Sequence, residues 1–158
     1  MKRVSIWLAI ATSLAAAAGA ADEGVIAYSD AVQDITARFN AELVKAQPFL
    51  VWPGDNLDQD SRDKIAWKLE VIINNLNKLK AELSALAVPA GFEESHKLIA
   101  GAFDLYTTAL SRCGQAIQRN YVKQFNGGVQ DYNNAGSYLD SGFDELSNAL
   151  RKAGYQVN

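Results

Sequence analysis

Two successive ladders of apolar residues, joined by a single proline turn, constrain the fold of this chain more than any other feature of its sequence. In each ladder apolar side chains recur alternately four and three residues apart, so they line one face of a long helix. The first ladder comprises Ile65, Leu69, Ile72, Leu76, Leu79, Leu83 and Leu86. The second comprises Phe92, His96, Ile99, Phe103, Tyr106, Leu110, Cys113 and Ile117. Pro89 disfavours helix in the residue before it and Gly91 permits a reversal, so the two helices are predicted to be antiparallel neighbours.

The flanking sequence predicts one helix before this pair and one after it. The first, over about 25–46, carries the stripe Tyr28, Val32, Ile35, Phe39 and Leu43. The end of the third helix is open to two readings, because Asn126-Gly127-Gly128 is a strong turn signal but lies within a ladder running from Val122 to Ala153. Keeping both glycines in a helix costs roughly 2 kcal/mol, which burial along the ladder offsets, so we favour a turn near Asn120. Either reading predicts an all-α, elongated, antiparallel up-down-up-down four-helix bundle.

Residues 1–20 have the pattern of a secretory signal peptide. Lys2 and Arg3 precede an apolar run, and Ala18-Gly19-Ala20 matches a small-residue cleavage site. The apolar run is short for a bilayer span, and no later stretch is a candidate for one. The sequence therefore predicts a periplasmic or secreted protein with one domain, residues 21–158, and no integral membrane segment after cleavage.

The charge of that domain argues against several classes of partner. Taking Lys2 and Arg3 from the 15 basic residues leaves 13 against 18 acidic ones, a net charge of −5. Nucleic-acid binding needs a basic surface, and so does an electrostatic grip on anionic lipid. Because Cys113 is the only cysteine, stability is expected to come from helix packing, without an intramolecular disulfide.

The segment between the first two helices, residues 47–57, is unusually apolar for a connection. One reading is a plug, in which Phe49, Leu50, Val51 and Trp52 close one end of the bundle. The other reading is an exposed aromatic surface for a partner or ligand, centred on Phe49 and Trp52.

A metal or haem site is the main alternative to a simple binding protein. Glu93 and His96 are spaced to lie on one helix face, as in di-iron bundles, but those use two such pairs and His96 is the only histidine. Haem attachment through Cys-x-x-Cys-His is absent, which leaves His96 alone as an axial ligand. Ser95 adjoins His96, so their side chains point apart on a helix. We expect no cofactor and no catalytic residues.

Glycines within the third and fourth helices are open to two interpretations. Gly101, Gly114, Gly136 and Gly142 each weaken a helix, which is explained by close helix approach. Alternatively, missing side chains beside Tyr106, Tyr132 and Tyr138 leave a cavity for a small amphipathic ligand.

One stretch resembles a known group of proteins. The turn Val88-Pro89-Ala90-Gly91-Phe92, followed by His96, Leu98, Ala102, Tyr106 and Ala109, is similar to a pattern in uncharacterised exported bacterial four-helix-bundle proteins. The resemblance covers about residues 65–153 and implies a bacterial envelope or secreted bundle of unknown activity. We therefore expect a non-catalytic binding or interaction module whose partner is a protein or a small amphipathic ligand. A self-associating structural protein is a further alternative, and an oligomer is compatible with the ladders.

Overall fold

Four long helices form the chain in the computed structural model, which describes residues 23–157. They are α1 (Glu23–Ala46), α2 (Gln59–Ser84), α3 (Glu93–Gln118) and α4 (Val122–Lys152). A short 3₁₀ turn, Gln47–Phe49, follows α1. Consecutive helices pack against each other, so the predicted all-α four-helix bundle is confirmed. The predicted signal peptide, residues 1–20, lies outside the described residues.

The reversal between α3 and α4 occurs at Asn120, as the favoured reading predicted. Asn120 has φ 53°, in the left-handed region that asparagine tolerates better than most residues. The Tyr121 amide donates to the Ala116 carbonyl at 2.9 Å, and the Asn120 amide donates to the Ile117 carbonyl at 3.2 Å. These two bonds satisfy the carbonyls of Ala116 and Ile117 in the last turn of α3. The fourth helix, α4, then continues through Gly127 and Gly128.

The predicted stripes form one continuous core. All five stripe residues of α1 are buried, and so are most residues of the two ladders. Ile65, Leu86 and His96 are only partly buried, because they lie near helix ends. At mid-bundle the ring of Phe39 stacks on Phe103 with 3.6 Å between centroids. The hydrophobic area removed from water along these stripes is the main stabilising contribution to the bundle.

Small residues repeating every seventh position bring α3 and α4 closest together. The repeat on α3 is Ser95, Ala102, Ala109 and Ala116, and the repeat on α4 is Gly128, Ala135, Gly142 and Ala149; all eight are buried. A Cβ on Gly128 would lie 2.7 Å from Cys113 Sγ, and one on Gly142 would lie 2.7 Å from Ile99 Cγ1. Close helix approach therefore explains Gly128 and Gly142. It does not explain Gly101, where an added Cβ would meet no atom within 4 Å.

The cavity proposed beside the tyrosines is not formed between α3 and α4. Tyr106 and Tyr132 pack edge to face with 4.8 Å between ring centroids, and both are buried. Tyr138 lies on the surface, with 51% of its side chain exposed. The packed tyrosine rings and the close backbones of α3 and α4 fill the space that a ligand cavity would need.

None of the helices described here is long and apolar enough to cross a membrane.

Candidate functional site

The end of the bundle that carries the long connection holds three of the seven large apolar residues that are exposed in the described chain. We call it the loop end: residues 47–58 together with the start of α2 and the α3–α4 turn. The connection runs across the bundle, since the Trp52 ring packs against Phe125 of α4 with 5.3 Å between centroids. The Gln59 side chain reaches the Gln118 carbonyl of α3 at 3.5 Å. The loop end thus joins all four helices.

A buried arginine holds this connection in place. Arg62, in the first turns of α2, is only 3% exposed. Its guanidinium donates to the backbone carbonyls of Asp55 at 2.8 Å and Leu57 at 2.9 Å, and more distantly to those of Gly54 and Ile117. It also lies 6.0 Å from the Trp52 ring centroid. A planar guanidinium offers five donors in fixed directions, so one side chain fixes several loop carbonyls at once.

Phe49 and Trp52, the two residues singled out in the sequence, lie against the core. Both are partly buried. The Lys68 ammonium lies 5.9 Å from the Phe49 ring centroid, and the Trp52 indole nitrogen donates to Asp55 Oδ1 at 2.9 Å. Their neighbour Val51 is the exposed large apolar residue of the segment 47–58, at 72%. The aromatic side chains therefore support the loop while Val51 faces solvent.

Three exposed apolar side chains meet the solvent at the loop end. They are Val51 (72% exposed), Tyr121 (51%) and Val122 (43%), and we call them the tip patch. The sequence ladder counted Val122 among its apolar positions, but it begins α4 at the chain reversal, where no facing helix covers it. The signal that identifies Tyr121 and Val122 is local: two large apolar residues in a turn, bracketed by Arg119 and Lys123. Exposed apolar side chains that form a contiguous patch are typical of interaction surfaces.

Exposed charges of both signs lie at the loop end. Arg119 and Lys123 border Tyr121 and Val122, both are exposed, and neither forms an ion pair within residues 23–157. The segment 55–63 presents four exposed carboxylates. These are Asp55, Asp58, Asp60 and Asp63.

Local hydrogen bonds orient these carboxylates. The Ser61 amide donates to Asp58 Oδ1 at 2.8 Å, and this bond, joined by the Ser61 hydroxyl, lowers the pKa of the Asp58 carboxyl. Asp58 therefore caps the N-terminus of α2. Lys64 lies 3.5 Å from Asp60, and its charge also contributes to the lowered pKa of Asp58. Asp55 and Asp63 accept hydrogen bonds from Trp52 and Gln59.

Glu93 and His96 lie at the opposite end of the bundle, engaged with other groups. The Glu93 carboxylate accepts the Gly91 amide at 2.9 Å. His96 Nδ1 lies 3.2 Å from the Tyr28 hydroxyl of α1. Burial raises the pKa of Tyr28 to about 12, against the smaller opposing effect of a hydrogen bond with Ser95, so the hydroxyl keeps its proton. Among residues 23–157, no three histidine, cysteine, aspartate or glutamate side chains converge to hold a metal ion.

His96 is expected to make stability fall as the pH is lowered through the histidine range. Burial lowers the pKa of His96 below its ordinary 6.5, so the unfolded chain takes up a proton at a higher pH than the folded chain. Below about pH 6.5 the unfolded state binds more protons than the folded state, so the free energy of unfolding falls as the pH is lowered. The fall ends when the pH passes below the folded-state pKa. The free energy of unfolding, measured by denaturation at about pH 7.5 and about pH 5.5, should decrease more between these pH values in the wild type than in His96→Gln.

Tyr28→Phe is the control for this comparison. It removes the hydroxyl beside His96 but keeps the titrating ring, so it should retain the pH dependence while changing stability at both pH values. Equal losses for the wild type and His96→Gln would contradict the expectation.

Two other features offer little to a ligand. A shallow, open groove of about 390 Å³ runs between α2 and α3, and its Arg112 is paired with Asp131 at 2.6 Å. Cys113 is fully buried beneath Gly128, and burial raises the pKa of its thiol to about 11. A protonated, inaccessible thiol is a poor nucleophile and a poor ligand.

Comparison with known proteins finds no significant match to this chain. The sequence matches no protein-family model, and neither a curated protein nor a solved structure shows significant similarity to it.

Proposed function

We propose that this chain is an exported, non-catalytic binding or interaction module of the bacterial envelope, and that the loop end is its interaction surface. The observation that carries the proposal is the tip patch: Val51, Tyr121 and Val122 are exposed together at one end of the bundle. A backbone segment that is already ordered in the free protein loses little conformational entropy on binding.

The supports of the tip patch strengthen this assignment. Val51 lies in a loop fixed by Arg62, and Tyr121 follows the hydrogen-bonded reversal at Asn120. Arg62 supplies donors to loop carbonyls that would otherwise lack them, which keeps the connection ordered in the free protein. The export part of the proposal rests on the pattern of residues 1–20 and on the resemblance to exported bacterial bundles. The side chains best suited to catalysis, Cys113 and His96, are not free to react, because Cys113 is buried and His96 is hydrogen-bonded to Tyr28. These contacts favour a binding role over a catalytic one.

Site-specific photocrosslinking in bacterial cells tests the surface directly. A photoreactive amino acid is placed at position 51 or 121 of the full-length chain, and the control is position 138. Tyr138 is exposed to the same extent as Tyr121, 51%, but lies in the middle of α4. We expect covalent adducts from positions 51 and 121 and none from position 138.

The distribution of adducts decides the outcome. Adducts from all three positions alike, or from none, would overturn the assignment of the loop end. Native mass spectrometry of the protein recovered from the periplasm tests the export step, since a mass beginning at Ala21 is expected. An uncleaved protein confined to the cytoplasm would contradict the envelope location.

A further inference from the structure

The Tyr28 hydroxyl links α1 to α3 at the end of the bundle opposite the loop end. We infer that Tyr28, Ser95 and His96 form a hydrogen-bond chain that reverses its direction when His96 takes up a proton, so that α1 stays bonded to α3 in both protonation states. The chain is a conformational device built into the fold. It uses no residue of the tip patch, so the inference stands or falls independently of the proposed function.

Two possible acceptors lie beside the Tyr28 proton. His96 Nδ1 lies 3.2 Å from the Tyr28 hydroxyl, and Ser95 Oγ is within hydrogen-bonding reach of the same hydroxyl. The Ser95 hydroxyl gives its own proton to the Phe92 carbonyl at 2.8 Å. A hydroxyl has one proton and two lone pairs, so Ser95 can only accept from Tyr28. The Tyr28 proton can therefore be donated either to His96 or to Ser95.

Neutral His96 accepts the Tyr28 proton through Nδ1. Burial raises the pKa of Tyr28 to about 12, so the hydroxyl keeps this proton throughout the range in which histidine titrates. A neutral imidazole that accepts through one ring nitrogen carries its own proton on the other. The chain therefore requires the Nε2–H tautomer of neutral His96.

Protonation of His96 reverses the chain. An imidazolium carries a proton on both ring nitrogens, so Nδ1 changes from acceptor to donor and bonds the Tyr28 oxygen. The Tyr28 proton then turns to Ser95 Oγ, and every donor keeps an acceptor. Tyr28 is only 3% exposed, so without Ser95 its proton would be buried beside a cation with no partner, which disfavours the protonated state.

The charged residues of the flanking elements are engaged elsewhere or exposed. They are Glu23 and Asp30 on α1, Lys80 and Glu82 near the end of α2, and Glu93, Glu94 and Lys97 on α3. The two on α1 are exposed, and the two on α2 pair with Asp104 and Arg38. Glu93 accepts the Gly91 amide, and Glu94 lies 4.0 Å from Lys97. Burial lowers the pKa of His96, so protonation still costs stability, and the chain limits that cost.

Heteronuclear NMR of the imidazole ring in the untagged protein tests the tautomer first. His96 is the only histidine, so the spectrum contains a single ring. At about pH 8 we expect a neutral ring with its proton on Nε2 and with Nδ1 accepting from Tyr28. A neutral ring protonated on Nδ1 would overturn the inference, because Nδ1 would then be a donor before any proton is taken up.

Removal of the second acceptor provides the decisive test. Ser95→Ala should lower the pKa of His96 by about 0.5–1 pH unit, because Tyr28 needs that acceptor only when His96 is protonated. The same substitution in a Tyr28→Phe background should leave the pKa of His96 unchanged, since no hydroxyl then connects the two side chains. The control is Thr107→Ala. The Thr107 hydroxyl is also buried and bonds the Phe103 carbonyl at 3.1 Å, but it lies about three turns further along α3.

The pKa of His96 in these variants decides the outcome. An unchanged pKa in Ser95→Ala would overturn the inference, and so would an equal lowering in the Tyr28→Phe background or in Thr107→Ala, because the effect would not pass through Tyr28. Circular dichroism at about pH 5 verifies that each variant is folded during the titration. If Ser95→Ala does not fold, Ser95→Cys tests the same step, since a thiol is a weak acceptor. None of these results alters the crosslinking expected at positions 51 and 121, which tests the proposed function separately.

Discussion

Gly142→Ala and Gly128→Ala are each expected to lower the free energy of unfolding by about 2 kcal/mol, although alanine is the better helix former. A Cβ at position 142 would lie 2.7 Å from Ile99 Cγ1 and 3.0 Å from the Ile99 backbone nitrogen. At position 128 it would lie 2.7 Å from Cys113 Sγ and 3.1 Å from the Ala109 carbonyl oxygen. Backbone atoms of α3 cannot rotate away, so the helices must separate. Overpacking of about 3 kcal/mol then exceeds the helix-propensity gain of about 1 kcal/mol.

Gly101→Ala is the matched control on the facing helix. Position 101 is also helical, but no atom lies within 4 Å of the Cβ position, so alanine should stabilise the protein by about 1 kcal/mol. At Gly127 the nearest atom is the flexible guanidinium end of Arg112, which can move, so Gly127→Ala should be nearly neutral. Urea denaturation monitored by circular dichroism measures all four variants. Stabilisation by Gly142→Ala would contradict the close approach of α3 and α4.

Arg62→Met is expected to lower the free energy of unfolding by about 3 kcal/mol, because it removes several charge-assisted hydrogen bonds while keeping much of the side-chain volume. The carbonyls of Asp55 and Leu57 would lose their donor, and the loop would be released from the bundle end. Trp52 packs on this segment, so its fluorescence should shift towards that of a solvated indole. The measurement is made in a Trp67→Phe background, since Trp67 is 63% exposed and would obscure the shift.

Arg119→Met controls for the loss of an arginine. Arg119 is exposed at the same end of the bundle, so its removal should change stability by at most about 0.5 kcal/mol at the dilution used for denaturation. Arg62→Lys should fall between the wild type and Arg62→Met, because one ammonium cannot reach carbonyls spread over the plane of a guanidinium. Equal stability for Arg62→Met and Arg119→Met would show that Arg62 does not hold the loop.

Periodicity predicted the helices well because it records which face of each helix is buried. The heptad spacing of Leu69, Leu76 and Leu83 requires only that something apolar cover that face, and all three are fully buried. The turn at Asn120 was also within reach, because the ladder through Gly127 and Gly128 is a property of one helix. Ladders are less reliable at helix ends, where Val122 keeps the spacing but no neighbouring helix covers it.

The candidate site was harder to predict, since it depends on residues distant in the sequence. Phe49 and Trp52 pack against the core, as the plug reading of the apolar connection predicted, but Val51, which that reading also buried, faces solvent. Arg62 carried no signal, because a charged residue early in a helix is ordinarily exposed. Its burial follows from the path of residues 54–57, which turns their carbonyls towards α2.

The sequence by itself determined the number of helices, their order and the face that each one buries, because these follow from local spacing and from turn chemistry at Pro89 and Gly91. Only the tertiary structure decided how closely the helices approach and which side chains share a surface. The seven-residue repeat of small residues on α4 fits α3 because a matching repeat is carried there at an antiparallel register. Likewise, Val51 and Tyr121 are seventy residues apart in the chain. They share one end of the protein because two antiparallel reversals return α4 to the loop that follows α1.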